Sequence, residues 1–335
     1  MKAKQRRVIP SFLALLLTVV FAVVAALPVF ANDTTIQIGA GRNAAPIAEN
    51  LELTTYRGVA VTGRFKAIDP DGDALTFEIT AAPKKGAVTP TDGGEFVYAP
   101  TEGAKGKDSF TYVAVDANGG VSQSATVTVN LKKQSVKLTY ADMAGDPAYY
   151  AALVLAEKGV FTGETLGGAS FFRPEEDVTR GEFLAMCLSL TGARTLDGIT
   201  RTGFSDDGSI PMWVKPYVSA ALMSGVVSGY RDELGRPVFL PGEAITFSEA
   251  AVILNKALSV TDVTGTGAAA IDTSAVPAWA QRAAVNLTAC NILPAGLAGN
   301  MDGHVTRADA AELFLAASEV LEARGTDTGG LFGWL

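Results

Sequence analysis

The 335 residues are enough for two or three domains, and the chain is acidic: 35 Asp and Glu against 27 Lys and Arg give a formal net charge of −8. That balance argues against a nucleic-acid partner. A single histidine, His304, removes Ser-His-Asp, Cys-His and histidine–metal chemistry together.

Residues 1–31 read as a secretory signal peptide. Lys2, Lys4, Arg6 and Arg7 precede an apolar run from Phe12 to Leu27, and Val29-Phe30-Ala31 is a small-residue cleavage site. The run is also long enough to span a bilayer, so an uncleaved anchor is the alternative. No cysteine follows it, which excludes a lipoprotein; no other apolar run approaches membrane length. Cleavage after Ala31 removes four cations and no acid, which moves the formal charge to −12. An anionic ligand then needs a local basic site. Residues 32–44 are small and polar and read as a linker.

From residue 45 to 132 the pattern has period two. In "SFTYVAVD" Phe110, Tyr112 and Ala114 point one way, and in "SATVTVNL" Ala125, Val127, Val129 and Leu131 do the same. Turn signals at "DPDGD", "PKKG", "DGG" and "NGG" separate the runs, which predicts an all-β sandwich of immunoglobulin size. Asp69, Asp71, Asp73, Asp116 and Asn118 supply oxygen ligands of the kind Ca²⁺ takes; the alternative is a Pro-Asp-Gly turn with solvated acids.

After residue 134 three helical blocks resemble one another, at 139–192, 203–260 and 270–322. Asp142, Asp206 and Asp272 open them, 64 and 66 residues apart; Thr179, Thr246 and Thr306 recur at steps of 67 and 60. Thr179 with Glu182 has capping-box spacing, and "HVTRADA" repeats the theme. Arg180 and Arg307 follow their caps directly, at the positive end of a helix dipole, a placement that costs about 0.3–1 kcal/mol. The two cysteines, Cys187 and Cys290, sit far apart inside helical patterns without metal spacing. They read as small buried apolar residues, with a disulfide as the alternative. Residues 323–335 read as a flexible, Gly-rich tail, or a short docking peptide.

The blocks resemble S-layer homology domains. The second carries Phe204, Asp206, Trp213, Gly225, Gly229, Tyr230, Phe239 and Pro241 of the family pattern. The first carries Asp142, Gly159, Gly163, Phe172, Pro174 and Thr179-Arg180-Gly181-Glu182, with Pro147 where Trp is expected. The third carries Asp272, Trp279 and Thr306-Arg307-Ala308-Asp309, with Asn291 at the first Gly and no Phe-x-Pro. The β-domain resembles bacterial cadherin-like or immunoglobulin-like modules.

The resemblance implies a multi-domain chain: an all-β immunoglobulin-like sandwich, then an all-α, three-repeat pseudo-trimer. It implies that grooves between repeats bind secondary cell-wall polysaccharide, often bearing acidic pyruvyl ketals. Arg180 and Arg307 then aim at a carboxylate, beside a helix N-terminus that already favours anions; the alternatives are solvated surface residues or partners of nearby acids. Both are expected to be removable with little loss of stability. Trp213 and Trp279 are either core residues or sugar-stacking platforms. Asp142, Asp206 and Asp272 either cap the first helices or bond sugar hydroxyls; Gly225, Gly229 and Tyr230 complete the set. In the middle block Phe247 replaces the arginine, so that groove is expected to be weak or silent, with the ring on a neighbouring repeat or in solvent. The expected protein is secreted, non-enzymatic and wall-anchored, with the sandwich as spacer or interaction module. The rivals are an adhesin whose sandwich binds a ligand on a host or neighbouring cell, with other surface proteins as candidate partners, and an anchored carbohydrate-active enzyme.

Overall fold

The computed structural model describes residues 43–196, 198–260 and 271–325. The expected signal peptide, nearly all of the 32–44 linker and residues 326–335 of the tail lie outside the described residues.

The first part is a two-sheet β-domain. Its strands are β1 (Ile47–Ala48), β2 (Leu51–Tyr56), β3 (Val61–Arg64), β4 (Ala67–Ile68), β5 (Leu75–Ala81), β6 (Gly86–Pro90), β7 (Glu95–Pro100), β8 (Gly106–Asp116) and β9 (Ala125–Lys132). One sheet has the order β2-β9-β8-β5 and the other β3-β7-β6; β1 and β4 form a separate ribbon. β2 runs parallel to β9, and the other pairs are antiparallel. The period-two pattern sends alternate side chains inward from both sheets. Phe96 and Tyr98 meet Phe110, Tyr112, Val127 and Val129 in one core, all 1 % exposed or less. Each such side chain contributes about 1.5–3 kcal/mol by leaving water. Asp108 is buried beside Tyr98. It accepts from the Tyr98 hydroxyl at 2.8 Å and from the Lys84 and Lys85 amides at 3.0 and 2.8 Å. Burial alone would raise its pKa; the amide and hydroxyl donors outweigh that and hold it below the usual range.

The second part contains α1 (Tyr149–Glu157), β10 (Glu164–Leu166), β11 (Ala169–Phe171), α2 (Arg180–Leu190), α3 (Lys215–Met223), β12 (Tyr230–Arg231), β13 (Pro237–Val238), α4 (Phe247–Ala257), α5 (Gln281–Ala289) and α6 (Arg307–Ala323). The all-α expectation is corrected: the hairpins β10–β11 and β12–β13 stand between the helices of the first two repeats. Strands of two or three residues are too short to leave a period-two signature. In the third repeat a 3-10 stretch, Ala295–Asn300, takes the place of the hairpin. α6 extends through Ala323, one residue into the segment expected to be tail. Cys187 is buried and Cys290 half-buried, and both are free thiols.

Three extended residues hold the repeats together. Val178 N–H donates to the Val305 carbonyl, Val305 N–H to that of Ile245, and Ile245 N–H to that of Val178, each at 2.9 Å. All three are 1 % exposed or less. Each lies just before a capping threonine. Thr179, Thr246 and Thr306 accept from the amides of Glu182, Glu249 and Asp309, whose carboxylates accept in return from the threonine amides.

The β-domain and the first repeat share packing. Tyr56 and Val59 belong to the helical core, and the Tyr56 ring lies 5.4 Å from that of Tyr150. Tyr56 donates its hydroxyl to Glu157, which also accepts from Ser135 N–H at 2.6 Å.

Thr179→Ala removes one cap without touching the hydrophobic core. It should lower stability by about 0.5–2 kcal/mol in urea titration, and an unshifted midpoint would contradict the capping-box assignment.

Candidate functional site

The start of each second helix leans on the next repeat. The amides of Arg180 and Gly181 donate to the carbonyls of Glu243 and Pro241 in the second repeat, at 2.8 and 3.0 Å. Those of Phe247 and Ser248 donate to Gly303 and Met301 in the third, and those of Arg307 and Ala308 to Glu176 and Pro174 in the first. These are the orphan donors of a helix N-terminus. Neighbouring backbone takes them, and the capping threonine takes a third. The expectation that amides at these helix starts attract an anion is therefore corrected; any anion would have to be met by side chains.

At the first junction Arg180 reaches onto the second repeat. Its guanidinium carbon lies 4.7 Å from the Tyr230 ring centre and 5.4 Å from that of Phe239. Nη1 donates to the Tyr230 hydroxyl at 3.1 Å and sits 3.6 Å from Glu249. The residue is 7 % exposed, and Nε is buried without a partner. At the junction of third and first repeats Arg307 stands 4.5 Å above Phe161 and 5.8 Å from Phe172. Its Nη1 donates to Glu176 at 3.2 Å and lies 3.8 Å from Glu164. A cleft beside it is lined by Leu155, Phe161, Phe172, Val178, Glu182, Met186, Ala310 and Ala311. Neither arginine is a free surface group. Their aromatic contacts are each worth about 0.5–2 kcal/mol, so the expectation of removal at little cost in stability is corrected. At the remaining junction Phe247 is 3 % exposed and belongs to the helical core. An apolar packing contact stands there in place of the cation.

The other sequence candidates separate by role. Asp142 accepts from the amides of Phe172 and Arg173 at 2.9 and 2.7 Å, and Asp206 from those of Phe239 and Leu240 at 2.9 and 2.8 Å. Successive amides turned onto one carboxylate form an anion nest. It holds Arg173 and Leu240 in the left-handed region, at φ 59° and 60°, which L-residues avoid. Neither aspartate caps α1 or α3, whose starts carry no side-chain cap. Asp272 accepts from Ser274 N–H at 2.9 Å and so caps a 3-10 turn, not α5. Trp213 and Trp279 are 56 % and 61 % exposed, which overturns the core reading and leaves them as exposed platforms. Gly229 is structural: a Cβ there would lie 2.3 Å from the Phe204 ring and 2.5 Å from the Val238 carbonyl. Gly225 ends α3 at φ 75°, and Asn291 adopts φ 57° at the same place after α5, so the third repeat keeps the turn without the glycine. Tyr230 is the member of the set that touches an arginine. Glu164, Glu176 and Glu249 were missed, although Glu164 occupies the place in "TGET" that Tyr230 occupies in "SGYR".

A second candidate lies at one end of the β-domain. Carboxylate oxygens of Asp69, Asp73 and Asp116 fall within 4.8 Å of one another. Asp69 Oδ2 is buried with no partner, while Oδ1 accepts from the amides of Asp71 and Asp73. Asn118 donates to Asp73 at 2.6 Å, and Asn43 to Asp116 at 2.8 Å. The Asn43 amide, ahead of the opposing effect of burial and helped by the Gly120 and Asn118 amides, holds the Asp116 carboxyl below its usual range. Asp71 is turned away and accepts from Ala44 N–H at 2.7 Å, so it leaves the expected ligand set. Three hard oxygen donors, one of them orphaned, suit Ca²⁺.

The profile of the bacterial cadherin-like domain matches residues 43–133, and that of the S-layer homology domain matches 139–184 and 203–251. The "Surface-layer 125 kDa protein" of Lysinibacillus sphaericus is 26% identical over 163 residues, 44% of this chain and 13% of that protein. "Exoglucanase XynX" of Acetivibrio thermocellus is 28% identical over 130 residues, 38% of this chain and 11% of that protein. The chain thus spans a small part of the length of these relatives. Among solved structures, the SrpA adhesin of Streptococcus sanguinis is 17% identical over 31% of this chain and 65% of that one, with a TM-score of 0.24.

Two tests follow from these geometries. Phe247→Arg places an unpaired charge in a packed site and should cost about 3–5 kcal/mol; calorimetry showing an unchanged melting temperature would mean the ring is not a packing element. Millimolar Ca²⁺ should raise the melting temperature of the β-domain by binding only the folded state, and Asp69→Asn should abolish that shift. No shift in the unsubstituted protein would remove the calcium assignment.

Proposed function

We propose that this chain, in which a bacterial cadherin-like domain precedes S-layer homology domains, is a non-enzymatic anchor whose three repeats act as one pseudo-threefold unit on acidic secondary cell-wall polysaccharide. The cell-surface role rests on the domain matches and the surface-layer relative. No helix among the described residues is long and apolar enough to cross a membrane. The polysaccharide reading is carried by one observation: Arg180 is held over Tyr230 and Phe239 at a junction of repeats, with a buried Nε that has no partner among the described residues. A planar cation with unused donors fits a sugar-borne carboxylate such as a pyruvyl ketal. The exposed Trp213 offers a ring for a sugar face. The β-domain then serves as a spacer, held to the first repeat through Tyr56, Val59 and Glu157.

One observation favours the adhesin reading for the β-domain. Ile47 and Ile68 face each other across the β1–β4 ribbon and are 62 % and 53 % exposed. An anchored carbohydrate-active enzyme needs two facing carboxylates in a pocket. The cleft beside Arg307 has mainly apolar walls, and the Glu182 carboxylate on it is engaged with Thr179.

The test is co-sedimentation of the chain with purified cell wall, before and after the secondary polysaccharide is extracted. Binding should be present with intact wall and lost after extraction. Equal binding to both preparations would redirect the search to peptidoglycan, and binding to neither would end the anchoring proposal.

A further inference from the structure

Resting on that reading, we infer that the junctions are unequal: the Arg180 junction takes the acidic polymer, while the chain's own Glu164 and Glu176 close the Arg307 junction to it. The two arginines occupy the same place in their repeats, yet their surroundings differ. Arg307 donates to Glu176 at 3.2 Å and has Glu164 at 3.8 Å. Arg173 joins them, 3.0 Å from Glu164 and 2.9 Å from Glu176. Two cations and two carboxylates thus neutralise one another across the groove, and Glu176 bridges both arginines. An incoming carboxylate has to displace Glu176 and then lie beside Glu164, against like charge.

Arg180 meets a phenol where Arg307 meets Glu164. Gly163-Glu164 in the first repeat corresponds to Gly229-Tyr230 in the second. The carboxylate near Arg180, Glu249, is 3.6 Å away, and its oxygens already accept from the Thr246 amide and the Tyr230 hydroxyl. Both arginines are largely buried, and each keeps an Nε without a partner among the described residues, so what separates the junctions is the carboxylates that face them. The second repeat also supplies Trp213, whereas the first has Pro147 in that place. Cation and phenol therefore meet at one junction, on the repeat that also carries the exposed Trp213. Glu164 and Glu176 set the specificity of the other.

The experiment measures binding of the full chain to purified wall polysaccharide, and to the same polymer with its carboxylates reduced to alcohols. Arg180→Gln should weaken binding to the native polymer about tenfold or more, the effect of one charge-assisted donor. Arg307→Gln should change it less than about twofold, since a cation already neutralised by two carboxylates of the chain has little left to offer an incoming one. The double variant Glu164→Gln, Glu176→Gln frees Arg307 and Arg173 and should tighten binding about three- to fivefold. That gain should disappear with the reduced polymer and shrink at high salt. Both glutamates are half-exposed, at 51 % and 49 % of their side chains, so this variant tests the idea even where Arg180→Gln fails to fold. Equal losses from Arg180→Gln and Arg307→Gln, or no gain from the double variant, would overturn the inequality and leave the anchoring reading in place. Absence of binding by the unsubstituted chain overturns the anchoring reading instead.

Discussion

Three backbone hydrogen bonds at the centre of the helical part govern its geometry. Val178, Ile245 and Val305 each give an amide to one neighbouring repeat and a carbonyl to the other. A two-member exchange would leave an open edge; three members close on themselves and leave none. Because these groups are buried, breaking one contact strands a donor and an acceptor away from water, at a cost of about 1–3 kcal/mol for each group. The ring also sets register. Each threonine cap follows one of its members directly, so every second helix starts two residues past the ring and gives its first amides to the next repeat in the same cyclic order.

From that arrangement comes the fate of the helix N-termini. The first two amides of α2, α4 and α6 reach carbonyls of the adjacent repeat, and the threonine of each capping box takes the next. The positive ends of the dipoles are thereby answered within the protein. An arginine immediately after such a cap is tolerated because it leaves the axis of its own helix and lies on aromatic rings of the next repeat, near a carboxylate. The cation fastens repeats together and also presents donors at their border. Phe247 shows what remains when only the fastening is kept.

The aspartates that open the first two repeats do related work at longer range. Asp142 and Asp206 each draw two successive amides of the Phe-x-Pro segment onto one carboxylate, and so hold a residue at positive φ. That turn places Phe172 and Phe239 beneath the arginines. The third repeat has no such segment; a 3-10 stretch stands there, and the partner arriving at it is Phe247. Loss of the clamp, loss of the hairpin and loss of the cation coincide in one junction.

Much was legible in the chain order. Period two in 45–132 marks strands, and Phe110, Tyr112, Val127 and Val129 lie inside as their alternation requires. The Thr-x-x-Glu/Asp spacing located three capped helices, because a cap is a contact between residues three apart. The short hairpins were not legible: two or three residues of strand carry no period. Nor were the roles of the aspartates, whose amide partners lie about 30 residues away. Sequence alone placed Arg180 and Arg307 at equivalent positions and Asp71 beside Asp69 and Asp73. Only the tertiary structure decided that Arg307 faces Glu164 and Glu176, that Arg180 faces Tyr230, and that Asp71 turns away. The physical reason is that local spacing specifies which helix a side chain belongs to, whereas its charge environment is set by the repeat packed against it.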